Sequence, residues 1–431
     1  MSYSTDNKGL VLIAVLWIVV VMTAIVAVVG QTSRLDMKMA GAAMDDVRCR
    51  WACRAGTETA LAILNEDPKD SDCLSDLWSD NDEDLNDVRV ERCTYSIRVT
   101  DEAGKLNINT ATRDQLMSLR FMEPPIADAI LDWRDRDDNP AAEGAESGYY
   151  ENLAFPYTIR NGNLKTIREL LAVKGVTEEL LYGEDTNLNG LLDYNEMDGD
   201  VSPPADNGDS QLDQGWIACL TCCSYENNVD AAGQNRVNIN QADEQQLQNA
   251  LGINAAQARW IARNRGQGFR SIADLINRDS PSQPQGSSGN SSNENEQQPI
   301  DLQTFKAIAD KISITNERQI PGRVNINTAP EEVLVALLGG EENRASAQAI
   351  VAERAGMVYG FSSIAGLLDV QSVGIDRFKR IADLITVRSD VYTIQCFATA
   401  DVSGASLQTE CVVDRSASPP SVLYWYQGAN Y

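Results

Sequence analysis

Leu10 to Val29, twenty residues with no charge and with Thr23 as the only hydroxyl side chain, constrains this chain more than any other stretch. At about 1.5 Å per residue such a run makes a helix of roughly 30 Å, the hydrocarbon thickness of a bilayer. Whatever follows must sit beside a membrane. From Gln31 to Asn65 there is no proline, and Leu35, Met39, Ala42, Ala43, Ala52, Ala60, Leu61 and Leu64 recur at helical spacing. The spacing predicts one continuous helix over 10–66, membrane-spanning at 10–29, that ends near Pro68.

The residues before the run are MSYSTDNK and then Gly9. A secretory signal peptide has a shorter apolar core and a small-x-small cleavage site, which Ala27-Val-Val-Gly30 matches poorly. The arrangement resembles a type IV prepilin leader over 1–9. That resemblance implies cleavage between Gly9 and Leu10 by a prepilin peptidase on the cytoplasmic side. Most pilins carry glutamate at the fifth mature position, where this chain has Ala14.

A chain of 431 residues is long enough for two or three units with ample core. It carries 63 acidic against 36 basic residues, a formal charge of −27, which repels nucleic acid and suits divalent cations. Histidine is absent, removing the commonest general base and zinc ligand. The nine cysteines fall into groups: Cys49 and Cys53; Cys73 and Cys93; Cys219, Cys222 and Cys223; Cys396 and Cys411. Pairing within groups suits an oxidising compartment outside the cytoplasmic membrane, with Cys73, Cys93, Cys396 and Cys411 as the disulfide candidates. Connectivity itself is not legible from spacing. Cys219-Leu-Thr-Cys222 has thioredoxin-type spacing without the surrounding βαβ pattern, which favours a structural role.

Val88 to Val99 alternates in strand fashion, and comparable pattern returns only at Val391–Ala398, Leu407–Val413 and Ser421–Tyr426. A lone hairpin is marginal in water, so these ends should pair as one small sheet domain over 67–104 and 388–431. The intervening 105–387 is then an insertion. It contains a repeat: Lys105-Leu-Asn-Ile-Asn-Thr-Ala111 recurs as Arg236-Val-Asn-Ile-Asn-Gln-Ala242 and Arg323-Val-Asn-Ile-Asn-Thr-Ala329. A leucine follows five residues after each alanine, at Leu116, Leu247 and Leu334. A second helix with an arginine comes next, over 126–134, 255–263 and 347–354, followed by an apolar element beginning at Leu164, Phe269 and Phe361. Asparagine or threonine before a helix reads as an entry cap. The expected units are helix-hairpin-helix pairs sharing a core, and packing repeats without a ligand are favoured.

The pattern also resembles nucleic-acid-binding helix-hairpin-helix domains, whose glycine-rich hairpins offer backbone N–H groups to phosphate. Copy two keeps a partial hairpin in Leu251-Gly-Ile-Asn254. Copy one has prolines at 124 and 125, and copy three has glutamates at 341 and 342, which argues against DNA.

Between copies one and two, Asp185-Thr-Asn-Leu-Asn-Gly-Leu-Leu-Asp-Tyr-Asn-Glu196 fits the EF-hand calcium loop at each defined position. Asp185, Asn187, Asn189, the carbonyl of Leu191, Asp193 through water and a bidentate Glu196 would supply the oxygens. Asp198-Gly-Asp-Val-Ser-Pro-Pro204 rules out a long exiting helix, so the expectation is a structural calcium clamp. The cluster Asp132-Trp-Arg-Asp-Arg-Asp-Asp138 offers a further cation site with Glu143, Glu146 or Glu151, unless its arginines satisfy it. Residues 280–298, rich in Ser, Gln, Asn and Gly, read as a disordered insertion.

The leader, Ala14, the helix continuing to Arg54-Ala-Gly-Thr-Glu-Thr-Ala-Leu61, Asp101-Glu-Ala-Gly-Lys-Leu-Asn-Ile-Asn-Thr-Ala111 and Ile130-Leu-Asp-Trp-Arg-Asp135 together resemble the type II secretion minor pseudopilin K family, over nearly the whole chain. That resemblance implies an α+β fold: a long pilin-like helix and a small antiparallel sheet domain carrying a large inserted all-α domain of helix-hairpin-helix (SAM-like) repeats. It implies a non-enzymatic subunit at the tip of a pseudopilus, initiating or capping it during export across the outer membrane. Implied partners are other minor pseudopilins, the major pseudopilin, the prepilin peptidase and the inner membrane, with exported protein as a further candidate. The bulk of the chain would lie in the periplasm, holding structural calcium. Ala14 suits a terminal subunit, because the fifth-position glutamate is thought to pair with a neighbour's N-terminal ammonium. The alternative class is a membrane-anchored helix-hairpin-helix module that binds DNA or exported substrate.

Overall fold

The structure is a computed structural model that describes residues 8–188, 190–199, 201–204, 206–276 and 298–430. The proposed leader, apart from Lys8 and Gly9, and nearly all of the 280–298 segment lie outside them.

The helix α1 runs without interruption over Lys8–Glu66. Its first part is long and apolar enough to cross a membrane, and every residue over 10–44 is exposed. Even its hydroxyls are consumed internally: Thr23 Oγ1 donates to the Val19 and Val20 carbonyls and Thr32 Oγ1 to those of Val28 and Val29, which removes unsatisfied donors from a segment that would face lipid. Contact with the rest of the molecule begins at Asp45 and continues through Cys49, Ala52, Cys53, Thr57, Ala60 and Leu64, all buried. This three-and-four spacing is one helix face.

That face lies on a five-stranded sheet made of β1 (Val88–Val90), β2 (Cys93–Asp101), β3 (Val391–Ala400), β4 (Ser406–Asp414) and β5 (Ser421–Asn430), in that spatial order. Every neighbouring pair is antiparallel. Alternation along β2 turns Cys93, Tyr95, Ile97 and Val99 inward, where they meet α1 with Ile394, Cys396, Cys411 and Val413. At Gly56 the helix lies too close to the sheet for a side chain. A Cβ there would stand 2.7 Å from Cys396 Sγ and 3.0 Å from Tyr95 Cδ2.

The chain leaves the sheet after β2 and returns as β3, its immediate neighbour, with Tyr392 opposite Asp101. Buried carboxylates pin both ends of the excursion. Asp101 accepts from Asn325 Nδ2 (3.0 Å) and Thr328 Oγ1 (2.5 Å); Glu102 accepts from Thr393 Oγ1 (2.8 Å), Lys105 Nζ (2.9 Å) and Thr221 Oγ1. Within the excursion each repeat contributes two helices: Arg113–Met117 and Pro124–Arg134, Glu244–Leu251 and Ala255–Asn264, Glu331–Leu338 and Arg344–Ala355. One continuous apolar core joins all three, from Leu106 to Val387.

The expected all-α composition is corrected here. The two residues opening each repeat are extended and pair in parallel with a returning segment: Leu106–Asn107 with Leu220–Thr221, Val237–Asn238 with Ile312–Ser313, and Val324–Asn325 with Ile385–Thr386. The asparagines are also not the helix caps. Capping falls to Thr112 and Asp243, each in a reciprocal bond with a glutamine three residues on, and in copy three Pro330 starts the helix.

The first asparagine of each copy instead accepts from the backbone N–H of the second: Asn107 from Asn109 (2.9 Å), Asn238 from Asn240 (2.9 Å), Asn325 from Asn327 (3.0 Å). The second then pairs as a backbone mimic with the residue that opens the third element. Asn109 both donates to and accepts from the Leu164 backbone (2.9 and 2.8 Å), Asn240 that of Phe269 (3.0 and 2.7 Å) and Asn327 that of Phe361 (2.9 and 2.7 Å). An arginine closes each unit on carbonyls of its motif: Arg134 on Ile108 and Ala111, Arg354 on Ile326. In copy two that residue is Arg265, which reaches Ala242 O, and not Arg263.

Candidate functional site

The acidic groups decide where chemistry can occur, because each buried carboxylate must be neutralised by a cation, by hydrogen bonds or by a proton. Three clusters answer differently. At the foot of α1, Asp67, Asp72 and Asp76 approach one another, but Arg415, almost fully buried, lies among them and pairs with Asp67 (2.5 Å) and Asp72. Tyr392 Oη (2.8 Å) and Ser389 N (2.7 Å) donate to Asp72 as well. The guanidinium already fills the role an ion would play.

The second cluster lies at the end of Pro124–Arg134. One oxygen from each of Asp132, Asp135 and Glu146 falls within 4.8 Å of the others. Asp132 is 2 % exposed and accepts from the backbone N–H groups of Ala141 and Ala145 (3.1 and 2.8 Å). Glu146 is 4 % exposed, and neither of its oxygens has a hydrogen-bond partner among the described residues. Burial pushes the Glu146 carboxyl up to about 7, helped by Asp132, Asp135, Asp138 and Asp137. Arg134 gives its hydrogen bonds to the repeat's carbonyls and acts on Asp135 only through space; Arg113 pairs with Asp128, at 2.6 Å. Buried oxygens without a cation are the donor set that a hard divalent ion takes.

The third is the 185–196 loop, which follows a short helix at Glu178–Tyr182 and ends in a single 3₁₀ turn at Tyr194–Glu196. Asp185 is buried, and its Oδ2 accepts from Gly190 N (2.9 Å). Gly190 has φ of +60°, a conformation other residues resist. Asp193 N donates to Glu196 Oε2 (3.0 Å) and Asn187 Nδ2 to Asp193 Oδ2 (2.7 Å). Glu196 is 1 % exposed, and its Oε1 has no partner among the described residues. Burial raises its carboxyl, followed by Asp185, Asp193 and Glu184. Leu191 is exposed and Asn189 lies outside the described residues. Hydrogen bonds thus tie Asp185 to Gly190, Asn187 to Asp193 and Asp193 to Glu196 within the loop, but Asp185, Asp193 and Glu196 do not form a cluster like the other two, whose carboxylate oxygens lie within 4.8 Å of one another. The side-chain donors are all oxygens, a set that suits calcium better than a transition metal. The loop is held against the sheet, with Arg98 of β2 packed over Gly190 and Gln408 Nε2 reaching Leu188 O (3.5 Å).

The cysteines sort differently from their sequence groups. All nine are thiols here. Cys93 meets Cys49 of α1, with the sulfurs 4.0 Å apart, whereas Cys73 donates to Asp76 Oδ1 (3.3 Å). Cys396 pairs across the sheet with Thr409 and is a diagonal neighbour of Cys411; Cys53 of α1 also reaches its carbonyl (3.5 Å). Tertiary packing of α1 overrides proximity in sequence. Cys219 is pushed up to about 11 and Cys222 higher still, both chiefly by burial, the reverse of an activated redox thiol.

Two family models match the chain, both described as type II secretion system (T2SS), protein K, over residues 102–182 and 324–388. They fall on the first and third repeats; the first includes Asp132, Asp135 and Glu146. A putative type II secretion system protein K of Escherichia coli K12 is 23% identical over 202 residues, 41% of this chain and 60% of that protein. The Aeromonas hydrophila protein K is 25% identical over 201 residues, 40% of this chain and 60% of that protein. That of Pectobacterium carotovorum is 40% identical over 55 residues, 13% of this chain and 17% of that protein. The chain thus matches at most 60% of the length of these relatives. In fold it is similar to a chain of the GspK–GspI–GspJ complex from the enterotoxigenic Escherichia coli type 2 secretion system, with a TM-score of 0.50 at 14% identity, covering 89% of this chain and 97% of that one.

Proposed function

The chain belongs to the type II secretion protein K family, and from that premise we propose that it is a minor pseudopilin acting at the tip of a periplasmic pseudopilus. The observation that carries the reading is the division of α1, whose apolar part stands free of the body while residues 45–64 are bound to the sheet. A helix so arranged can lie in the inner membrane and then enter a fibre without disturbing the body. The repeats, read as helix-hairpin-helix units, form a broad mass beside the sheet. In this proposal that mass blocks addition of a further subunit above, so the chain initiates or caps the fibre and has no catalytic task. Its partners would be other minor pseudopilins, as in the complex of its structural relative, and the major pseudopilin.

Calcium belongs to the same proposal as a structural ion. Asp185, Asn187, Asn189, Leu191, Asp193 and Glu196 would hold one ion, and Asp132, Asp135 and Glu146 another. A divalent cation would let the buried carboxylates stay ionised. The DNA-binding alternative has less support. The second asparagine of every repeat is spent on the chain's own backbone, and Glu341 on the copy-three hairpin pairs with Arg344 at 2.5 Å.

The test is the mature N-terminus, measured by intact mass and sequencing of the membrane-bound protein in a host with its own prepilin peptidase. A chain beginning at Leu10 supports processing as a pilin-like subunit. A chain beginning at Met1 overturns that processing and leaves a static anchor.

A further inference from the structure

The interface between α1 and the sheet holds five buried cysteines: Cys49 and Cys53 on the helix, Cys93, Cys396 and Cys411 on β2, β3 and β4. The geometry points to a disulfide between Cys49 and Cys93 that staples α1 to β2. The two sulfurs are 4.0 Å apart, in van der Waals contact, with both side chains 1 % exposed and directed at one another from facing elements. A disulfide requires this kind of approach, with the two thiols facing one another across a shared interface. The inference rests on the proposal that the body lies in the periplasm, where an oxidant is at hand.

Position gives the bond its use. Towards the membrane every residue of α1 over 10–44 is exposed, and Asp45 and Cys49 are the first buried residues on it. A pull on the membrane helix peels an interface from its lip, where the non-covalent contacts bear the load one after another. Cys49 is at that lip. A covalent bond there passes the load straight into β2, the strand from which the whole repeat region departs.

The chemistry is thiol–disulfide exchange. The thiolate of one cysteine attacks the disulfide of a thiol oxidoreductase and forms a mixed disulfide. The second thiolate displaces the enzyme sulfur, and the oxidoreductase leaves as a dithiol, carrying two electrons and two protons. Burial pushes the folded Cys49 thiol up to about 12, with Cys93 adding to the effect, and burial also raises Cys93. Exchange therefore belongs to the period before α1 docks, and docking then seals the bond from reductant.

The experiment is disulfide mapping of the full chain. Membranes are quenched in acid, free thiols are alkylated in denaturant, and a non-reducing digest is analysed by mass spectrometry; protease access to the body in spheroplasts is measured in parallel. A crosslinked peptide pair containing Cys49 and Cys93 supports the proposal. Alkylated Cys49 and Cys93 in a body open to external protease overturns the disulfide and spares the periplasmic reading. Alkylation of both in a protected body overturns the two together. A link from either cysteine to another partner, or a Cys53–Cys396 link with Cys49 and Cys93 free, also overturns it. Melting provides an independent measurement. Cys49→Ala and Cys93→Ala should each lower the midpoint by several degrees, the double variant should fall no further, and the gap to wild type should close in protein refolded under reductant. Additive losses in the two single variants would contradict a shared bond.

Discussion

At the scale of single residues, the second asparagine of each repeat shows how much a side chain can carry when it imitates backbone. Asn327 gives and takes one hydrogen bond with Phe361 in a buried setting, so Asn327→Ala strands two backbone groups at once. Its expected cost is about 2–4 kcal/mol, from ~1–2 kcal/mol for each unsatisfied buried group, readable in urea melts of a detergent-solubilised chain. Asn240→Ala should cost less, since Asn240 is only half-buried. Equal costs would show that burial does not set the scale.

Glu226 poses the opposite problem, one carboxylate among three arginines. Burial alone would raise its pKa, but Arg236 and Arg323, then Arg388, hold it well below the usual carboxylate range. The unfolded chain takes up a proton near pH 4.5 that the folded chain refuses, so this stabilisation is complete above that pH and is lost progressively as pH falls. Glu226→Gln should cost about 3–5 kcal/mol at pH 7 and clearly less at pH 3. A cost independent of pH would mean that the network is held by shape and not by charge. The motif arginines 236 and 323 were visible as repeat positions, but their shared acceptor was not. Glu226 sits outside every repeat, and only folding brings it to them. The proposed calcium loop is a local pattern, its donors all within twelve residues, and so could be put forward from sequence alone. Glu146 was only one of three glutamates named beside the 132–138 cluster, since what distinguishes it is burial without a partner. Calcium should raise the thermal midpoint of wild type by several degrees over chelator. Glu146→Gln and Glu196→Gln should each remove part of that gain, and calcium-insensitive melting of wild type would refute both sites.

At the scale of elements, α1 and the sheet meet with no slack at Gly56. Alanine is favoured over glycine in a helix by ~1 kcal/mol, whereas overpacking costs about 1–3 kcal/mol. The Cβ of Gly56→Ala would press on Cys396 Sγ at 2.7 Å, so a net loss of about 1–2 kcal/mol is expected by differential melting. Adding Cys396→Ala should recover much of it, and failure to do so would assign the loss to Tyr95. Helix and strands were readable from period and composition because apolar spacing determines them locally. The two-residue parallel strands were not, since Val237–Asn238 carries no strand signal apart from its partner Ile312–Ser313, far away in sequence. Nor did helix spacing reveal that Leu35 and Met39 face outward while Cys49 and Cys53 face the sheet.

At the scale of the whole molecule, the two halves of α1 should separate cleanly. A chain lacking residues 8–33 is expected to be soluble without detergent and to keep the same calcium-dependent melting, because every residue over 10–33 is exposed. Loss of the cooperative transition on truncation would show that the exposed half supports the fold after all.

The pairing of β2 with β3 fixes an order of events. The two strands are neighbours in space but are parted by the entire repeat region, so this contact has among the highest sequence separations in the molecule, and such contacts form late. A ribosome delivers β2 long before β3 exists. In that interval β2 offers a bare edge on which only β1 has closed, while the three repeats gain their core from one another. The sheet is therefore the keystone of maturation. Until its last strands arrive, α1 has only the β1–β2 face on which to dock, and a chain stalled short of β3 would be a folding intermediate open to proteolysis.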